Sequence, residues 1–264
     1  MRRFLAFALA ATLLFALAAC GEKTPTPGPT TTAPDRATAA PGPTAPAGEY
    51  AYEIRTTVDT SPYGIRNPVY QFSRPFFDET SALAREANQV YAKAEAEFTA
   101  EMKQANADNA DLYVWEEEYF DPGAPLYYKE LTESAYEADG MVSFTTTGEW
   151  FMGGVSNFWI TGHTFDFNLG RELKITDVLR GDSAQVTAAL EGEFYAWYAA
   201  ERGDRELGDI FKANVTEQSG PAANFYLAGD GVHVCYRPYT VPATQGGVEL
   251  LIPWGSALVG LQLP

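Results

Sequence analysis

Residues 141–167 read MVSFTTTGEWFMGGVSNFWITGHTFDF, and apolar side chains alternate with small or polar ones on both sides of a glycine pair. Alternation with a period of two is typical of β-strands that have one buried face. Gly153 and Gly154 interrupt the pattern and indicate a turn, and Asp139–Gly140 just before the stretch is a strong hairpin signal. The stretch therefore predicts successive antiparallel strands. Whether its glycine turn also carries an exposed binding site is open at this point.

The same alternation predicts further strands at residues 50–58, 111–120, 125–138, 224–228, 232–237 and 248–253. Residues 67–77 are also extended in pattern. Pro68 and Pro75 favour an edge strand or an irregular segment there, because proline cannot donate a hydrogen bond to a ladder. The two strands after residue 223 flank Gly229–Gly231 and predict a second hairpin.

Two segments have the helical period. Residues 78–107, with Asp78 or Thr80 as the expected cap, carry one apolar stripe made of Leu83, Ala87, Val90, Tyr91, Ala94, Phe98 and Met102. Residues 183–202 form the second predicted helix, and Thr176 is expected to cap a short turn before it. Strands that form a meander and pack against a helix indicate an α+β fold with mostly antiparallel sheets, each packed against a helix.

The N-terminus has the pattern of an export signal. Arg2 and Arg3 precede an apolar run that is too short to span a bilayer comfortably. The sequence Leu17-Ala18-Ala19-Cys20 then resembles the lipobox of bacterial lipoproteins, in which the cysteine is diacylated and cleavage occurs before it. We therefore expect residues 1–19 to be a signal peptide and Cys20 to be lipidated, which implies an extracytoplasmic protein anchored to the bilayer through its acyl chains. An ordinary signal peptide with an incidental cysteine is the alternative.

Residues 20–48 are dominated by Pro, Thr, Ala and Gly and have no large apolar side chain, so they predict a disordered tether. The 264-residue chain has a formal net charge of −17, which becomes −19 when residues 1–19, with Arg2 and Arg3, are removed. Such a charge argues against nucleic acid as a partner. It either favours cationic partners or serves solubility alone. The only other cysteine, Cys235, lies in an apolar strand pattern and predicts a buried, inert thiol.

Two stretches carry a resemblance to a known family. Residues 165–179, FDFNLGRELKITDVL, and residues 224–254, NFYLAGDGVHVCYRPYTVPATQGGVELLIPW, resemble the extracytoplasmic domain shared by RsiV-type anti-sigma factors and the non-catalytic region of PdaC-type peptidoglycan deacetylases. A companion module usually precedes that domain. The resemblance therefore implies two linked modules, residues 49–164 and residues 165–264.

The resemblance also shapes the functional expectation. The anti-sigma members act by binding lysozyme outside the cell, but their output needs a cytoplasmic segment and a transmembrane helix, and the deacetylases carry their chemistry on another domain. Neither feature is expected in this chain. The family commonly has Gly-Gly-Ala-His where this sequence has Gly153-Gly154-Val155-Ser156, so a role for that histidine is not carried over.

The search for catalytic chemistry finds few candidates. The two histidines, His163 and His233, do not have the spacing of a standard metal site with Cys235, and no cofactor is expected. No Gly-x-Ser-x-Gly elbow or phosphate loop is present. Glu116 and Glu118, beside Trp115, are the acids to consider for a glycan hydrolase, although alternating acids are equally typical of a solvated strand face.

The sequence thus favours a non-catalytic binding protein of the cell envelope. A lysozyme-like wall hydrolase is the first ligand hypothesis, and peptidoglycan, stacked on rings such as Trp115, Trp150 or Trp159, is the second. Ser156 and Asn157 are the groups expected to be exposed if the glycine turn is a site, with Trp115, Glu116 and Glu118 as further candidates. The aromatic residues around the turn, Trp150, Phe151, Phe158 and Trp159, are expected mainly in the core.

Overall fold

The computed structural model describes residues 50–60, 69–108, 127–151, 156–203, 205–241 and 246–261. The signal peptide, Cys20, the tether, the strand predicted at 111–120 with Trp115, Glu116 and Glu118, and Gly153–Gly154 lie outside these residues. The structure does not test the predictions for these residues. No helix in the described ranges has the length and apolar character needed to cross a membrane.

Six strands form the first sheet in chain order: β1 Tyr52–Thr60, β2 Val69–Phe77, β3 Tyr127–Ala138, β4 Met141–Phe151, β5 Ser156–Asp166 and β6 Arg171–Glu172. All neighbouring pairs are antiparallel except β2 and β3, which run parallel. The hairpin predicted between β3 and β4 is confirmed. Asp139 and Gly140 both have positive φ, 55° and 81°, as a two-residue turn of the favoured hand requires.

Strand β2 is interior, so the expectation of an edge strand was wrong. Its parallel ladder with β3 covers only Val69–Phe72, and Pro75 pairs with Ile54 of β1 alone. After the ladder ends, the Ser73 hydroxyl accepts a hydrogen bond from the Thr132 backbone N–H at 2.7 Å. The proline is tolerated because β3 no longer requires its missing donor.

Helix α1, Ala82–Asp108, lies against one face of this sheet. Its N-terminus is capped by Ser81, whose Oγ accepts from Ala84 N at 3.1 Å, and not by Asp78 or Thr80 as expected. The predicted stripe does face the sheet, with Val90, Ala94 and Met102 only partly buried. Its inner residues close an aromatic core with strand residues: Leu83, Ala87, Tyr91, Phe77, Val142, Phe144 and Phe165.

The second layer holds a three-stranded antiparallel sheet and three helices: β7 Asn224–Leu227, β8 Gly231–Tyr236, β9 Val248–Pro253, α2 Ile175–Val178, α3 Ser183–Arg202 and α4 Asp209–Gln218. Helix α3 was predicted, whereas α4 was missed because it buries only Val215. Helix α2 begins after Lys174, whose N–H donates to Asp177 Oδ2 at 2.7 Å, so Thr176 is not its cap. The helices and this sheet share one core around Leu190, Phe194 and Tyr236.

The two sheets meet through backbone and small polar groups. The Asn224 amide donates to Ile160 O and accepts from Gly162 N, both at 2.8 Å, and Leu227 N donates to the buried Ser143 hydroxyl at 2.9 Å. Gly162 has no Cβ, which lets the Phe225 backbone approach β5 closely. The structure is therefore α+β with mostly antiparallel sheets, as predicted. The predicted module boundary after residue 164 falls inside β5 and stays a prediction.

Candidate functional site

The face of the first sheet beneath α1 changes in character along the strands. It is an aromatic core near Phe144 and becomes aromatic and acidic toward the strand ends at Tyr127 and Ser156. There, five side chains from three elements come together, and we call them the aromatic–acid cluster: Phe98 and Glu101 of α1, Tyr128 and Glu130 of β3, and Trp159 of β5. These residues form the candidate functional site.

Strand register brings the cluster together. Glu130 of β3 pairs with Gly148 of β4, and Gly148 pairs with Trp159 of β5, so all three lie in one row on the same face. Gly148 has no side chain, and the Trp159 indole occupies the space that a Cβ would need. The indole thereby reaches Tyr128, with 5.4 Å between ring centroids, and Tyr128 contacts Phe98 of α1 at 5.1 Å.

The electrostatics of the cluster are unbalanced. Burial, followed by repulsion from Glu101, raises the pKa of Glu130 to about 7. The same burial, with Glu130 and Glu101 nearby, raises the pKa of Tyr128 above its ordinary value, so that its phenol stays neutral. Over the described ranges, no lysine, arginine or histidine forms an ion pair with Glu130 or Glu101. A carboxylate in this position can accept hydrogen bonds from a ligand or compensate a cation.

Sequence reasoning did not single out Glu130. The strand pattern could have indicated it. Glu130 lies two residues from both Tyr128 and Thr132, so the three share the strand face that is turned toward a helix. An acid at an inward position needs an explanation. The acids that were singled out, Glu116 and Glu118, lie beyond the described residues together with Trp115.

The two polar residues after the glycine turn have different roles. Ser156 is exposed at the start of β5, as expected. Asn157 is only 6% exposed, which contradicts the expectation that it is a surface group. Its Oδ1 accepts from Phe158 N at 2.9 Å and from Gly246 N at 2.8 Å. Asn157 therefore holds Gly246, which lies just before β9, against β5.

The aromatic residues around the turn are not a closed core. Trp150, Phe151 and Trp159 are partly buried, and Phe158 is 46% exposed, so the expectation of core positions was wrong for Phe158 and too strong for the others. Trp150 shares the face of Trp159, because Trp150 pairs with Asn157 two residues away from the Gly148–Trp159 pair. Both tryptophans therefore lie on the sheet face of the aromatic–acid cluster.

His233 lies in a separate polar group on the second sheet. Its Nδ1 and Nε2 lie 2.6 Å from Glu249 Oε1 and 2.7 Å from Asp230 Oδ1, and its ring stacks on Tyr226 with 4.6 Å between centroids. Burial lowers the pKa of His233, but the hydrogen bonds to Glu249 and Asp230 outweigh it, and the net shift is upward. In the protonated form, which the raised pKa favours, both nitrogens donate to carboxylates and leave no lone pair for a metal.

The other residues that the sequence singled out, His163 and Cys235, pack against neighbouring side chains. His163 packs against Tyr91, with ring centroids 5.3 Å apart, and its Nδ1 lies 2.6 Å from Glu172 Oε1. The Tyr91 hydroxyl is buried without a hydrogen-bond partner in the described part of the chain. Cys235 is a free, buried thiol, as predicted, and burial raises its pKa above the ordinary value.

Comparisons with known proteins address the fold. No family model matches the chain, and no curated protein matches it. A solved structure of a DUF3298 family member from Bacteroides fragilis has a TM-score of 0.53 at 18% identity, and the match covers 81% of this chain and 95% of that one. A DUF3298 family protein from Pseudomonas aeruginosa has a TM-score of 0.47 at 15% identity, covering 78% and 90%. The first likeness shows a shared fold.

Proposed function

We propose that this protein is a non-catalytic binding protein of the bacterial cell envelope whose ligand is a cationic wall hydrolase of the lysozyme type. The observation that carries the proposal is the net charge of −17. Glu130 of β3 and Glu101 of α1 add to it, since neither forms an ion pair among the described residues. Opposite charge accelerates encounter with a basic protein, by roughly 10- to 1,000-fold at low ionic strength. The resemblance to RsiV-type domains agrees with this class of ligand.

Calorimetry of the purified full chain in detergent with lysozyme tests the proposal. We expect saturable binding that weakens as salt is raised from about 20 mM to 200 mM, because exposed charges are screened within roughly one Debye length. Lysozyme with its lysines succinylated is the matched control and should not bind. An absence of heat and of complex at the lowest salt would reject a cationic hydrolase as the ligand.

The proposed location rests on the N-terminal sequence. Leu17-Ala18-Ala19-Cys20 supports lipidation of Cys20 and anchoring outside the cytoplasmic membrane, since two acyl chains give stable membrane attachment. Labelling of cells with radioactive palmitate, with wild type and Cys20→Ser compared, tests this. The wild type should take up the label and the variant should not, and equal labelling of the two would contradict a lipid anchor at this residue.

Peptidoglycan is the second candidate ligand. It is favoured by Trp150 and Trp159, which lie partly exposed on one sheet face, because aromatic rings with an accessible face stack on sugars. Sedimentation with purified sacculi separates this candidate from the first. Pelleting that is lost in Trp150→Ala would favour the glycan, whereas a protein that stays in the supernatant at all salt concentrations would exclude it.

A further inference from the structure

We propose that strand β1 is a dimerisation edge, at which the β1 strands of two copies of this chain pair antiparallel with Ile54 opposite Ile54 of the other copy. The pairing joins the two six-stranded sheets into one. Strand β1 is the end strand of its sheet, and β2 is its only strand neighbour within the ranges that the structure describes. The inference goes beyond the proposed function, because it requires neither lysozyme nor a glycan.

The hydrogen bonds between β1 and β2 leave half of the β1 backbone groups pointing outward. Ala51 O accepts from Asp78 N at 2.9 Å. Phe77, which lies opposite Tyr52, instead bonds through its N–H and C=O to the Asn88 amide, at 2.8 and 2.9 Å. Bonded and non-bonded pairs alternate along an antiparallel ladder. The backbone N–H and C=O groups that point to the open edge are therefore those of Tyr52, Ile54, Thr56 and Val58.

The edge lacks the bulge, proline and lysine by which many proteins prevent strand pairing. Strand β1 is nine residues long, contains no proline or lysine, and keeps one register with β2 from end to end. Its β-branched residues favour extended backbone, and Ile54 and Val58 are 41% and 59% exposed. A long, regular edge with exposed apolar side chains is a site at which another strand can add.

One register makes this edge complementary to itself. When Ile54 faces its own copy, Glu53 faces Arg55 of the other chain, and Val58 faces Tyr50. Opposite charges and aromatic–aliphatic pairs stabilise neighbouring strands. Centring the pair on Glu53 or on Arg55 would instead place like charges directly opposite each other, which is destabilising. Because both side chains are exposed, 64% for Glu53 and 48% for Arg55, this charge complementarity selects a second copy as the partner.

The two-fold pairing also agrees with a chain that is tethered at its N-terminus. In the register centred on Ile54, Tyr52 of one copy lies opposite Thr56 of the other. The two strand starts are therefore about 14 Å apart along the strand direction, and both predicted tethers can reach one membrane surface. A single strand pair is smaller than a standard interface, so we expect a dissociation constant on the order of 1–100 μM. Anchoring on one surface raises the effective concentration of the copies.

The first experiment is oxidative cross-linking of Ile54→Cys in the full chain, in detergent, at about 100 μM. Directly opposite residues have Cα atoms about 5.5 Å apart, which a disulfide can bridge, so we expect a covalent dimer on a non-reducing gel. The matched control is Ile210→Cys, which is 71% exposed on α4 and should stay monomeric. Wild type, with Cys20 and Cys235, sets the background. A dimer yield from Ile54→Cys no higher than from the control would overturn the inference.

The second experiment tests the register by exchanging charges, with sedimentation equilibrium of the full chain as the measurement. Glu53→Arg and Arg55→Glu each place like charges opposite each other twice in the dimer, so each should weaken dimerisation roughly tenfold. The double variant restores opposite charges and should dimerise within about threefold of wild type. Thermal denaturation checks that all variants fold. A wild type that is monomeric throughout, or a double variant that dimerises no better than the single ones, would refute this pairing.

Discussion

Replacing His233 by phenylalanine should destabilise the protein in a pH-dependent way. The phenylalanine ring keeps the stack on Tyr226, whose ring centroid lies 4.6 Å from that of His233, but it loses both hydrogen bonds, to Glu249 and Asp230. The His233 side chain is 14% exposed, and the carboxylates are 34% and 61% exposed. The Glu249 bond therefore dominates, and a hydrogen bond to a charged group of this kind contributes roughly 1.5–3 kcal/mol.

The sign of the pH dependence follows from the direction of the pKa shift. The folded-state pKa of His233 is raised above the ordinary value, so the folded protein binds a proton that the unfolded chain releases at about pH 6.5. The stabilisation is complete below that pH and is lost as pH rises through the folded-state pKa. The difference in unfolding free energy between wild type and His233→Phe should therefore be roughly 1.5–3 kcal/mol at pH 5.5 and smaller at pH 9.

Urea denaturation at the two pH values, followed by tryptophan fluorescence, measures the difference. Asp230→Asn is the control, because its carboxylate is 61% exposed and such pairs contribute less than about 1 kcal/mol. A difference between wild type and His233→Phe that is the same at both pH values would refute the reasoning. It would show that His233 acts through packing and not through its charge.

Three further changes test other parts of the structure. Gly148→Ala should displace the Trp159 indole and lower the unfolding free energy by about 1–3 kcal/mol. The displacement should shift the tryptophan emission, and unchanged emission would contradict the contact between Gly148 and Trp159. Asn157→Ala should lower the unfolding free energy by about 1–3 kcal/mol, because two backbone N–H groups lose their acceptor. The control Ser156→Ala should change it by no more than about 0.5 kcal/mol. Equal melting temperatures of the two variants would argue against a structural role for the Asn157 hydrogen bonds. Tyr91→Phe should be neutral or stabilising by about 1 kcal/mol in thermal denaturation, since it removes a buried hydroxyl that has no partner in the described residues. A loss of stability would show that the hydroxyl does have a hydrogen-bond partner.

Local chemistry made much of the fold predictable. The Asp139–Gly140 turn needs only its own positive φ angles, and the stripe of α1 follows from helical spacing within one segment. The interior position of β2 was not predictable, because its partner β3 begins 50 residues after β2 ends. Burial of Asn157 depends in the same way on Gly246, which is 89 positions away.

The candidate site was likewise predictable only where it depends on local sequence. Parity along a strand is local and places Tyr128 and Glu130 on one face. The contact with Trp159 depends on the register of three strands and on the empty space at Gly148. The pKa of Glu130 depends further on α1, which brings Glu101 close. Neither the register of the three strands nor the position of α1 can be predicted from residue type and spacing.

The short parallel ladder between β2 and β3 has a consequence for how the chain folds. Strands β1 and β2 can pair locally, and β3 to β5 can form their meander locally. The backbone ladder between these two halves is short, because it pairs Val69–Phe72 with Tyr127–Glu130 and ends there. Closing that junction requires the whole connection through α1, which is the slowest kind of contact to form. We therefore expect hydrogen exchange to show the β1–β2 pair opening as a unit before the meander does.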